Sequence, residues 1–79
     1  MTKSVMESEM VLSRFEEIVP PVYIDGYCLD DLKLEVHVAF QIIGYTPKNL
    51  EKSVKSAFES MDGKGALYRL CYHAWRCDE

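Results

Sequence analysis

From Leu32 to Ile42 the chain alternates. Every even position (Leu32, Leu34, Val36, Val38, Phe40, Ile42) is large and apolar, and every odd one (Lys33, Glu35, His37, Ala39, Gln41) is polar or small. An extended backbone points successive side chains to opposite faces, so this period of two predicts a strand with one buried face. A helix would spread the same six apolar side chains around its whole circumference. The strand, running to Gly44, is the expected centre of the fold.

The flanking segments keep other periods. Ser4-Val5-Met6-Glu7 has capping-box spacing, and Val11, Leu12, Phe15 and Ile18 share one side of a helix whose other side carries Glu9, Ser13, Glu16 and Glu17. A helix over 5–18 is therefore expected, stopped by Pro20-Pro21. Val22-Tyr23-Ile24 is β-branched and aromatic and predicts a strand over 22–28, bulged at Gly26, with a turn at 29–31. Thr46-Pro47 is a helix-start signal. After it, Leu50, Val54, Ala57, Phe58 and Met61 form an apolar stripe, and Glu51 and Lys55 are spaced to pair on the polar side. Asp62-Gly63-Lys64-Gly65 ends that helix, Gly63 being the expected left-handed cap.

The segment 66–77 fits two patterns. As a helix it gathers Leu67, Leu70, Cys71, Ala74 and Trp75; as a strand it gathers Tyr68, Leu70, Tyr72 and Ala74. Its aromatics and the missing N-cap residue at Gly65 tip the reading to a strand. The expected fold is then α+β, in the order α-β-β-α-β with the last element a helix in the alternative. Two helices would pack on one face of a small sheet, leaving Lys33, Glu35, His37, Ala39 and Gln41 on the other beside Leu67, Arg69, Cys71, His73 and Trp75.

At 79 residues the chain is read as one domain, 1–79, near the size at which a single core barely suffices, so self-association would help it. It has no apolar run of bilayer length, and Met1-Thr2-Lys3-Ser4 lacks the core of a signal peptide. A cytoplasmic location and no membrane partner are expected. Cys28, Cys71 and Cys77 are an odd set and are read as reduced thiols. The net charge of −4 is concentrated in residues 1–31, which disfavours nonspecific nucleic-acid binding there.

Candidate chemistry is sparse. Cys71, His73 and Cys77, with Cys28 and His37, are zinc-ligand types, but they lack the usual close cysteine pair with two to four residues between its members, and Cys71 and His73 have a single residue between them. Cys71 with His37 or His73 would be a nucleophilic pair, yet nothing marks an oxyanion hole. Asp25, Asp30 and Asp31 suit turns, and the Gly63-Lys64-Gly65 loop follows a helix instead of leading into one, unlike a phosphate loop. No stretch carries a motif specific to one family. No metal, no cofactor and no enzymatic activity are expected.

The richest stretch is the C-terminus, where Arg69, Tyr72, His73, Trp75 and Arg76 are types enriched in binding hot spots. The function expected is that of a small noncatalytic regulator, inhibitor or adaptor that binds a protein partner through these five residues, or a second copy of itself. The alternative is a nucleic-acid-binding module in which residues 45–77, locally +3 with Tyr68, Tyr72 and Trp75 interspersed, offer stacking surfaces and cations.

Overall fold

A computed structural model describes residues 5–78. It contains four helices, α1 (Val5–Ile18), α2 (Leu29–Ile43), α3 (Leu50–Ser60) and α4 (Leu67–Cys77). Among the described residues there is no sheet; a single antiparallel bridge joins Tyr23 to Ala66. The α+β expectation is therefore wrong, and the protein is an all-α four-helix bundle. α4 packs against all three other helices, whereas α1 and α3 do not meet. α2 and α4 thus lie across the short diagonal, and their outer faces look in opposite directions.

The central correction is α2. An alternation of period two also contains period four, so the even positions split into two helical stripes. Leu32, Val36 and Phe40 follow i, i+4, i+8 and, with Ala39, are buried. Leu34, Val38 and Ile42 follow the same spacing about 200° away at 100° per residue. They are left 66%, 44% and 51% exposed. Helix signals were present at both ends. Asp30 and Asp31 sit in the first turn, where they complement the helix dipole, and Gly44 closes the helix with φ 78°, its N–H returning to the carbonyls of Gln41 and Phe40. What the alternation could not reveal is that one apolar stripe suffices for the core, because α1, α3 and α4 all supply their own.

α1 runs over the expected residues, with Phe15 fully buried and Val11 and Ile18 half-buried against the core. Its capping serine, Ser4, lies outside the described residues. Phe15 packs on Phe40 with ring centroids 5.8 Å apart, and Phe40 meets the edge of Tyr45 at 5.1 Å. α3 buries the expected stripe but starts three residues beyond Thr46-Pro47, at Leu50. Asn49 is its N-cap, accepting from the Lys52 N–H at 3.1 Å. Glu51 pairs with Lys33 of α2, at 3.0 Å, in place of the expected Lys55. That contact, with Asp30 at 3.4 Å, raises the Lys33 pKa. Gly63 is left-handed as expected and returns its N–H to Phe58, whose ring would stand 3.1 Å from any Cβ there.

α4 takes the helical alternative, and Leu67, Leu70, Cys71, Ala74 and Trp75 are its buried side. No side chain caps it. The carbonyl of Val22 does so from the linker, accepting from the Leu67 N–H at 2.9 Å, while Ile24 donates to Gly65 at 2.8 Å. The strand-like residues 22–24 thus make one bridge and act as a tertiary cap on a helix. That cap removes the objection raised by the missing N-cap residue.

Beyond the other end of α4, Asp78 is 4% exposed. Its carboxylate accepts from the N–H groups of Lys48 (2.8 Å) and Asn49 (3.0 Å), from the Ser53 hydroxyl (3.0 Å) and from the Tyr45 hydroxyl. An anion thus sits at the start of α3, where unpaired amides and the helix dipole favour it. Burial pushes the carboxyl pKa up, but the hydrogen bonds from Tyr45, Asn49, Lys48 and Ser53 outweigh it and hold the value at about 2. Burial and the Asp78 charge together raise the Tyr45 pKa.

Because Asp78 titrates at about 2 when folded against 3.8 unfolded, the unfolded chain binds more protons between those values. Its contribution, about 2 kcal/mol, is complete above pH 5 and is lost as pH falls through about 2 toward pH 1. Urea unfolding of Asp78→Asn should show a deficit of that size at pH 7 that narrows to nothing in acid. A deficit unchanged at pH 2.5 would contradict the assignment.

Candidate functional site

With its buried stripe turned to the core, α4 must turn Arg69, Tyr72, His73 and Arg76 outward, since these four stand at i, i+3, i+4 and i+7. Arg69 and Arg76 are exposed, and Tyr72 and His73 are half-buried between them. The helix joins four of the five expected partner-binding residues into one face, about two turns long, aromatic in the middle and cationic at both ends.

Side-chain contacts order this face. Arg76 donates from Nη1 to the Tyr72 hydroxyl at 3.1 Å and lies 5.8 Å from the centroid of its ring. Arg69 stands 6.0 Å from the Tyr68 ring. Tyr72 meets His73 edge-on at 5.6 Å and leans on Trp75 at 6.1 Å. Among the described residues, neither guanidinium is in an ion pair. Partial burial, then Arg69 and Arg76, lower the His73 pKa from its usual 6.5, so the imidazole is neutral at pH 7.

No family model, no curated protein and no solved structure matches this chain.

Trp75, the fifth expected residue, is 7% exposed and belongs to the core. A strand would have displayed it beside His73, whereas a helix sends the two about 200° apart. The same rotation separates Cys71 from His73. Cys71 is fully buried, and burial, then the Glu35 charge, push its thiol up to about 12, far from a thiolate nucleophile at neutral pH. Cys28 and Cys77 are exposed. Among the described residues no three His, Cys, Asp or Glu side chains are placed to hold a metal ion. The cleft between the 20–27 linker and α2, lined by Val22, Tyr27, Leu32 and Leu67, holds about 100 Å³. That is below the ~300 Å³ at which pockets for small organic ligands start, a size reached by more open surface grooves such as the one lined by Met10, Ile42 and Trp75, at about 430 Å³. No helix among the described residues is long and apolar enough to cross a membrane.

Sequence reasoning missed the exposed stripe on α2, joined near its end by Met10 of α1, which is 68% exposed and shares a shallow groove with Ile42. The signal was available: six alternating apolar residues on a helix must leave half of them outside.

Two measurements check this placement. Trp75→Ala should cost about 3–5 kcal/mol of folding stability, as large core truncations do, whereas Arg69→Ala and Arg76→Ala should each change it by less than about 0.5 kcal/mol. In a thiol titration of native protein, two groups should react promptly and the third only on unfolding. Substitution of Cys71 should remove the slow one.

Proposed function

We propose that this chain is a noncatalytic protein-binding domain that docks an acidic segment of a partner protein against the outer face of α4. The observation that carries the reading is the clustering of Arg69, Tyr72, His73 and Arg76 on one helical face, where among the described residues neither guanidinium is in an ion pair. Two cations about 10 Å apart along the helix suit carboxylates on an extended or helical segment. Tyr72, already backed by Trp75, supplies a semi-rigid aromatic anchor between them. Such a domain serves as a regulator, inhibitor or adaptor, occupying a surface and leaving chemistry to its partner.

The nucleic-acid alternative keeps its cations and aromatics in 45–77, but stacking of bases on an open sheet is not available to it, because the described residues form no sheet. The α3 lysines Lys52 and Lys55 also alternate with Glu51 and Glu59, as on a solvated helix face.

The test uses surface residues, because a Trp75 variant would report folding. Wild type and the double variant Arg69→Glu/Arg76→Glu, both shown to be folded, are immobilised and exposed to nuclease-treated lysate of the native host. A protein retained by the wild type and lost by the variant is expected, and it should compete with a soluble Glu/Asp-rich peptide. Equal retention by both proteins would overturn the reading. Material captured only from a parallel lysate left untreated with nuclease would move the nucleic-acid alternative ahead.

Binding should also respond to pH with a defined sign. An anionic segment laid between Arg69 and Arg76 offsets their effect on His73 and raises its pKa in the complex. The complex then holds more proton than the free protein, and affinity should rise as pH is lowered from 7 to 6. His73→Gln should abolish that slope.

A further inference from the structure

The stripe Leu34, Val38, Ile42 follows one line down the outside of α2 and is continued by Met10. These four side chains expose on the order of 400 Å² of apolar surface in one patch, within the range at which a patch on a monomer is often functional. We infer that this face is the interface of a homodimer in which α2 packs antiparallel on α2 of a second copy, about a two-fold axis passing beside Val38.

Three features select a second copy as the occupant. The first is self-complementarity. Leu34 and Ile42 stand four residues to either side of Val38, so a two-fold axis there sets Val38 against its own counterpart and packs each Leu34 beside the other copy's Ile42.

The second feature is charge. The N-terminal half of the face is bordered by Asp31 and Glu35, both exposed. Its C-terminal end is bordered by Arg14 of α1, which shares the groove of Met10 and Ile42 and is in no ion pair among the described residues. An antiparallel arrangement keeps each border of the helix on its own side. It therefore brings Arg14 of each copy toward Asp31 and Glu35 of the other, twice over. A parallel arrangement would set acidic end against acidic end.

The third is area. Two copies apposed on these side chains remove about 800 Å², and the polar borders bring the total near the ~1,200 Å² at which specific interfaces begin. The dimer is accordingly a modest one that dissociates on dilution. Because α2 and α4 face opposite ways, dimerisation leaves both α4 faces open, and the assembly is bivalent for any partner bound there.

Sedimentation velocity decides the matter. Wild type should sediment as a dimer, twice the 9.1 kDa chain mass, at about 200 µM and shift toward monomer by about 1 µM. Val38→Glu should be monomeric throughout with an unchanged helical circular-dichroism spectrum. Arg14→Glu and Glu35→Arg should each weaken the dimer at least fivefold, and combining them should restore it. The double variant Arg69→Glu/Arg76→Glu should sediment like wild type, which separates this interface from the proposed α4 site. A wild-type monomer at 200 µM would overturn the inference. So would a Val38→Glu dimer, or loss of the dimer on reversing the α4 charges.

Discussion

A single carboxylate ties the two ends of the C-terminal helical pair together. Asp78, the residue after α4, turns back to the start of α3 and takes four hydrogen bonds there, from two backbone amides and two hydroxyls. Each donor would otherwise need water or another partner, and the carboxylate would be costly to bury without them. The exchange sets how α3 and α4 meet and holds Tyr45 where its ring closes over Phe40. At the opposite end of α4, the Val22 carbonyl completes the helix start. α4 can therefore serve as a helix on which the other three pack, although no side chain of its own caps its start.

The rotation of α4 decides the candidate site. Once Leu67, Leu70, Cys71, Ala74 and Trp75 are turned inward, the outward set follows from helical geometry alone. It contains the arginines, the tyrosine and the histidine, and excludes the tryptophan and the buried cysteine. The hot-spot residue types were legible as a cluster, but their division between core and surface was not. A strand and a helix divide 66–77 differently, and the choice depended on a hydrogen bond from a linker more than forty residues away in the chain.

α2 shows the same dependence with a different outcome. Its alternation fits a strand better than it fits a helix when the segment is taken by itself, yet among the described residues no second strand is available to pair with it. An isolated strand leaves its backbone groups unpaired, whereas a helix satisfies its own. The helix accepts the exposure of Leu34, Val38 and Ile42 in return, and that exposed stripe is the most direct consequence of the fold for association.

By itself the sequence determined α1 and α3, whose apolar stripes keep helical spacing and whose ends carry Pro20-Pro21 and Gly63. It also determined which residue types crowd the C-terminus. Tertiary structure alone decided that 29–43 and 67–77 are helices, that Asp78 caps α3, and which side chains of α2 and α4 face water. The reason is physical: periodicity records which residues can share a face, but in these two segments it permits two sets of faces. The selection came from backbone hydrogen bonds and packing supplied by parts of the chain remote in sequence.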